Sequence, residues 1–539
     1  MNQYATYAPE NNARVINKTR IKYVLSALAK AKQQRPSRAK KLIIDFAKTC
    51  SDIPNELLHR EKIDSGFYLG KTKSLGMTFH VAKPIDIDGH ISVVGGSGSG
   101  KSSCHSRPTL ESCTTPFVAL DINGELYEHW QQIDRPNKRS AKVINLTSDI
   151  GNFSTYDPMY NLGDFNSEDY VQNLRELVQC LVPLPSNARE PFFIEAAQNV
   201  VSGLIAYYHH QGNTFNEAVL CIQGILLSEQ INGVANGDCE LANLMLAQYM
   251  GVSKLEESKM ILSIATTIVT RLIAFATDPV VRAALEPSGN TVRWEDIETH
   301  NIFIRVDQSK LEQWGPVITL ILTQFIRKLE RRPNRHTPAG KAMQPVLIML
   351  DEFPRIGKMP AIANALATLR IKKVTIALFF QSISQLDGLY GEDQRRSILE
   401  NCPYLSVLTV TDPDTQKHLS DRAGIRKASK IVTKGADGIE PVALPQEFGN
   451  PSYINIITPD GFYRIIKSPY YGEPKKRIFT RIIDYFKNLF RNCPTLKVFI
   501  LMKITMLFKK PLTNWTLSIL KKLLGKYLPK FMFINQLFI

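Results

Sequence analysis

The octet Gly95-Gly96-Ser97-Gly98-Ser99-Gly100-Lys101-Ser102 constrains this chain more than any other feature. It fits G-x-x-x-x-G-K-[ST] and directly follows the apolar run Ile91–Val94. Glycines let backbone N–H groups converge on phosphate oxygens. The lysine reaches the β- and γ-phosphates, and the next hydroxyl is a magnesium ligand. A helix starting here would set its N-terminus under the phosphates. The alternative is a glycine-rich turn that fits by chance, and the strand before it weighs against that.

Around the loop the sequence reads as an α/β chain. Ile91–Val94, 117–120, 302–306, Val346–Leu350, Val374–Phe380 and 405–410 are short, continuous apolar runs. Continuous rather than alternating runs are expected of parallel strands covered on both faces. Helical periodicities lie between most of them, at 315–331 and 361–369 for example. That alternation is the α/β signature. Residues 165–290 break it, with helical patterns at 170–181, 195–208, 215–227 and 256–275 and no strand. A chain of 539 residues, 44% hydrophobic, has material for several structural units. The expected division is a basic helical segment at 1–60, a nucleotide-binding part at 61–164, an all-α insert at 165–290, a second nucleotide-binding part at 291–474 and a basic tail at 475–539.

The carboxyl ends of parallel strands face the ligand crevice. Val346–Leu350 is followed by Asp351-Glu352. There an aspartate would hold Mg²⁺ through water and a glutamate would polarise the attacking water. An ordinary acidic strand end is the other reading. Val374–Phe380 ends in Gln381, placed to sense a terminal phosphate or orient water, or simply to cap. Run 117–120 leads into Asp121-Ile122-Asn123-Gly124-Glu125, which belongs at the crevice unless Asn123-Gly124 is a plain turn. The catalytic candidates are therefore Lys101, Asp351, Glu352 and Gln381. Ser102 and Asp351 are the metal candidates, and Gly95, Gly96, Ser97, Gly98, Ser99, Gly100, Lys101, Ser102 and Ser103 form the expected cradle for nucleotide phosphates.

Together these residues resemble the type IV secretion coupling proteins, the conjugative coupling ATPases of plasmids and of agrobacterial T-DNA transfer. The most specific stretch, Leu350-Asp351-Glu352-Phe353-Pro354-Arg355-Ile356-Gly357-Lys358-Met359, is similar to the family's LDEFxxLGKM box. Ala365-Leu366-Ala367-Thr368-Leu369-Arg370, Gln381-Ser382-Ile383-Ser384-Gln385-Leu386 with Tyr390-Gly391, and Ile398-Leu399-Glu400-Asn401-Cys402 follow in order. Thr411-Asp412-Pro413-Asp414-Thr415 and Leu419-Ser420-Asp421 close the series. The resemblance covers roughly residues 65–474. It implies a RecA-like P-loop motor using ATP and Mg²⁺, with an all-α insert that recognises substrate. It further implies a ring of six at a membrane, delivering a relaxase–single-stranded DNA complex, or effector proteins, to a secretion channel. It also implies a role for Arg370, eleven residues before Gln381, as an arginine reaching a neighbouring subunit's γ-phosphate; a solvated helix-end cation is the alternative. Asn123 departs from the pattern, standing where the family carries lysine.

Most members begin with two transmembrane helices, whereas this sequence has no run of 18 or more apolar residues, so no membrane-crossing helix is expected. The N-terminus lacks the apolar core of a secretory signal. Eight cysteines without a C-x-x-C pair speak against a zinc ribbon or a disulfide scaffold and for a reducing cytosol. The net charge of +16 is uneven. Residues 1–60 hold 12 basic and 4 acidic side chains, 475–539 hold 14 and one, and the body between is net −5. In the tail, Ile478, Phe479, Ile482, Ile483, Phe486, Leu489 and Phe490 recur at helical spacing opposite Arg481, Lys487 and Arg491. Leu517, Leu520 and Leu524 oppose Lys521, Lys522 and Lys526 in the same way. Such helices suit the surface of an anionic leaflet. The expectation is peripheral attachment at the cytoplasmic face of the membrane, directly or through an adaptor protein; packing on the motor and binding DNA are the alternatives. Two other functions remain open from sequence: a substrate receptor with little turnover, and a pump for duplex DNA of the chromosome-segregation kind.

Overall fold

The computed structural model describes residues 53–469, apart from 60–64, 75–76, 135–137, 150, 185–190, 251–258 and 428–438. The expected tail at 475–539 and nearly all of the basic segment at 1–60 lie outside the described residues. The apolar runs form strands of one large sheet. After a hairpin of β1 (Gly66–Ser74) and β2 (Met77–Pro84) come β3 (Ile91–Val94), β4 (Phe117–Ile122), β5 (Ala141–Leu146), β6 (Asn301–Val306), β7 (Val346–Leu350), β8 (Val374–Phe380), β9 (Tyr404–Val407), β10 (Tyr453–Thr458) and β11 (Gly461–Ile466). The sheet order is β11-β10-β9-β3-β8-β7-β4-β6-β5. All pairings from β9 to β5 are parallel, and β10 and β11 extend the β9 edge antiparallel.

The continuous apolar runs are explained by cover on both faces. In β8 all seven residues are buried. Ile376, Leu378 and Phe380 join one core with the helices, and Ala377 and Phe379 join the other, with β1 and β2. The Ile, Leu and Phe side chains among these each contribute about 1.5–3 kcal/mol by leaving water. Leu58–His59 pairs antiparallel with β2, and Ile53 and Leu57 are buried in the second core.

From Tyr170 to Leu285 every described element is a helix: α1 (Tyr170–Leu181), α2 (Pro191–His210), α3 (Phe215–Gly224), α4 (Leu227–Ala235), α5 (Glu240–Met250), α6 (Lys259–Thr277) and α7 (Pro279–Leu285). The sequence pattern runs a single helix over 215–227. The structure stops α3 at Gly224, turns through extended Ile225 and Leu226, and restarts as α4. Thr214 and Glu217 form a reciprocal capping box that starts α3. The Asp278 carboxylate caps α7 and also accepts the Trp314 indole N–H at 2.9 Å, tying the helices to the start of the helix Gly315–Glu330 that follows β6.

No unbroken run of 18 apolar residues occurs, yet a helix can have membrane-crossing length and composition without one. Among the described residues α6 meets both, with a mean hydropathy of 1.8. Serine and threonine interrupt its apolar residues, which hides it from a search for unbroken runs. Its Ile261, Ile264, Ile268, Leu272 and Phe275 are buried in the core of the helical region.

Candidate nucleotide-binding site

The loop after β3 is pinned at its start by neighbouring strands. Gly95 N–H donates to Phe380 O at 3.1 Å and Gly96 N–H to Thr409 O at 2.9 Å. The chain then passes through Gly98 (φ 67°) and Gly100 (φ 91°), a region costly for side-chain-bearing residues. Gly98 is exposed, and a Cβ there would meet nothing within 4 Å. Ser99 Oγ is buried beside it without a hydrogen-bond partner. The following helix opens as a wide π-turn over Ser102–Ser106 and continues as an α-helix with Pro108 in its first turn.

The crevice brings together five of the candidates. Lys101 is 7% exposed. Its Nζ donates to Gly95 O at 2.9 Å and lies 3.5 Å from Glu352 Oε1. Ser102 Oγ stands 3.4 Å from Asp351 Oδ2, and Asp351 Oδ1 accepts the Glu352 N–H at 3.0 Å. Gln381 Nε2 donates to both Glu352 oxygens, at 3.1 and 3.3 Å. Glu352 has φ 50°, a strained backbone for a non-glycine residue that turns the chain sharply at the strand end. Desolvation pushes the Asp351 carboxyl up to about 6, opposed by the Lys101 charge.

The remaining boxes brace this crevice. Phe353 is fully buried and stacks on Tyr390 at 5.9 Å, and the Tyr390 hydroxyl accepts the Met359 N–H at 3.0 Å. Asp412 caps the helix Pro413–Ala423, and Thr415 Oγ1 accepts the Ile383 N–H, starting the helix that follows Gln381.

Two candidates do not join this set. Asp121 is fully buried with its carboxylate engaged, accepting the N–H groups of Leu126 and Tyr127 at 2.9 Å each. It holds the start of a helix. Asn123 takes the left-handed conformation (φ 61°) that asparagine tolerates better than lysine, and its Oδ1 accepts the Gln308 N–H at 3.0 Å. A Cβ on Gly124 would strike the Arg305 guanidinium. The Asp121–Glu125 segment is thus a packed turn. Arg370 is exposed in a short turn before β8. Gln381 lies at the other end of that strand, about 23 Å away at 3.3 Å per residue. Arg370 therefore cannot reach the loop of its own chain.

One side chain the motifs do not mark also reaches the loop: Lys467, just after β11, lies over Gly100. Nothing in the local sequence signals this, because only the fold brings the hairpin to the loop.

Residues 29–430 match the family described as Type IV secretory system Conjugative DNA transfer. The chain belongs to this family. The match begins inside the basic N-terminal segment, earlier than the residue 65 at which the motifs begin, and ends before the tail. The chain is 24% identical to the protein VirD4 of Rhizobium rhizogenes over 339 residues, which cover 62% of this chain and 49% of that protein. It is 23% identical to the conjugal transfer protein TraG of Escherichia coli over 395 residues, covering 69% and 61%. The chain thus spans about half the length of the VirD4 relatives it matches. Among solved structures, plasmid coupling protein TrwB in complex with the ATP analogue ADPNP superposes with a TM-score of 0.58 at 17% identity, over 74% of this chain and 90% of that one. TrwB with ADP and Mg²⁺ gives the same TM-score at 16% identity. The fold is that of a RecA-like P-loop NTPase, α/β with a mainly parallel sheet.

Proposed function

We propose that this protein is an ATP-hydrolysing coupling protein that recruits a relaxase–single-stranded DNA substrate and drives its transfer through a type IV secretion channel. The observation that carries this reading is the convergence of Lys101, Ser102, Asp351, Glu352 and Gln381 on the loop. That set is what phosphoryl transfer to water requires. The glycine-rich loop with the unpartnered Ser99 Oγ, and the hard oxygen donors of Ser102 and Asp351, fit ATP and Mg²⁺. Bound there, Mg²⁺ would neutralise charge on the phosphate oxygens. Lys101 neutralises the terminal phosphates. Glu352 accepts the proton of the attacking water, and Gln381 holds the Glu352 carboxylate in place. TrwB, whose fold this chain shares, binds ATP and GTP analogues, and relatives are named for conjugal transfer.

In this reading the protein works as a homo-hexamer. Arg370, exposed at the far end of β8, meets a neighbouring subunit's γ-phosphate. The helices of 165–290 face the substrate. The basic amphipathic tail at 475–539 holds the motor on an anionic membrane surface; its support is sequence pattern alone. The test is ATP turnover by the full chain, with and without single-stranded DNA, at concentrations that permit rings. DNA-stimulated turnover that disappears in Lys101→Ala supports the reading. Turnover that persists in that variant contradicts it, and a wild-type chain without turnover favours a passive receptor.

A further inference from the structure

A second lysine stands at the phosphate loop. Lys467 follows β11, and its backbone N–H donates to Ser452 O at 2.9 Å, which fixes the end of the hairpin. Its side chain turns to the loop. Lys467 Cε and Nζ lie 3.2 and 3.4 Å from where a Cβ on Gly100 would stand, and Ser103 Oγ lies 3.2 Å from the same point. A side chain at position 100 would crowd that approach, and the φ of 91° there favours glycine. Among the described residues no ion pair engages Lys467, whereas its neighbour Arg464 is paired with Glu447 at 3.1 Å.

The sheet order separates the two lysines. β7, which delivers Asp351 and Glu352, lies two strands from β3 on one side; β10 and β11 lie on the other. Lys101 Nζ faces the Glu352 flank. Lys467 approaches from the opposite flank, at the glycine before Lys101 and the serine after Ser102. A cation without a protein carboxylate, beside a loop built to receive phosphate, is matched to an anion.

We propose that Lys467 binds the phosphate nearest the nucleoside and so sets affinity for the nucleotide without taking part in hydrolysis. This rests on the reading of the loop as a nucleotide site. A phosphate common to ATP and ADP is then held by Lys467, and the terminal phosphates by Lys101.

The test compares ATP and ADP binding and steady-state hydrolysis for the wild-type full chain, Lys467→Met, Lys467→Arg and Lys101→Ala. Lys467→Met keeps the packing and removes the charge. It should weaken ATP and ADP alike by about tenfold, the scale of a lost hydrogen bond to a charged group. KM for ATP should rise by the same factor with kcat within about twofold, and Lys467→Arg should restore both. If Lys467→Met binds both nucleotides as wild type does while Lys101→Ala loses them, the inference fails and the site reading stands. A fall in kcat at unchanged KM also overturns the inference. A wild-type chain that binds neither nucleotide overturns the site reading and the inference with it.

Discussion

Gln381 donates its side-chain amide to both carboxylate oxygens of Glu352, at 3.1 and 3.3 Å, across the crevice between β7 and β8. The two residues end adjacent parallel strands, and the pairing of Leu350 with Leu378 fixes their spacing. Gln381 is itself held, its backbone N–H donating to Gln385 Oε1 at 3.0 Å. Gln381→Ala should therefore lower kcat for ATP by about 10²-fold, the range for a positioned group in proton transfer. Nucleotide affinity should stay within about twofold. Equilibrium binding beside steady-state turnover checks this, and an equal loss of both would show that Gln381 only holds the fold.

The distance between Arg370 and the loop of its own chain makes a different kind of prediction. Arg370→Ala should leave nucleotide binding intact and lower hydrolysis by at least about 10²-fold, since arginines acting in trans are worth roughly 10³–10⁵ in other NTPases. Mixing Arg370→Ala chains with Lys101→Ala chains should recover part of the activity, because some interfaces then join an intact loop to an intact arginine. No recovery at any ratio, or lost nucleotide binding, contradicts the trans role.

Much of this was legible in the sequence, for a physical reason. A parallel sheet covered on both faces leaves continuous apolar runs, so Ile91–Val94, Val346–Leu350 and Val374–Phe380 were readable, and the residues closing them fell at the crevice. The β1–β2 hairpin was not readable. Lys71 and Lys73 interrupt its first strand, and a bulge between Tyr68 and Gly70 shifts its register. Edge strand β5 is only partly buried, so Ala141–Leu146 shows no apolar run. Asp121 looked like a crevice ligand because it ends a strand, yet its carboxylate is consumed by two helix N–H groups. Lys467 escaped because its place is set by tertiary structure alone.

Lys83 links the fold to pH. It is fully buried, with Nζ bonded to Ile87 O at 2.7 Å and Thr375 Oγ1 at 3.0 Å. Burial lowers its pKa from 10.5 to about 7, against the opposing pull of Asp86 and Asp88. Between those values the unfolded chain holds a proton that the folded chain has released, so stability rises with pH. The limiting slope is about 1.4 kcal/mol per pH unit. Denaturant melts from pH 7 to 8.5 should show this rise in the wild type and lose it in Lys83→Met. An unchanged slope in the variant would mean that Lys83 is not the titrating group.

Membrane attachment through residues 475–539 is tested by flotation with vesicles rich in anionic lipid. The full chain should float, and a chain ending at Pro474 should not. Each lysine or arginine near such a surface is worth about 1 kcal/mol, so raised salt should release the full chain. Equal flotation of both chains would sink the idea.

The central claim is that Glu352 activates the water that attacks a nucleotide held by Lys101. It is tested most directly by a single turnover of radiolabelled ATP bound to Glu352→Gln with single-stranded DNA present. The variant should bind ATP as tightly as wild type and keep it intact, with the hydrolysis rate reduced by 10²-fold or more, on the order of a lost general base. Conversion of the bound ATP to ADP at the wild-type rate would contradict the account.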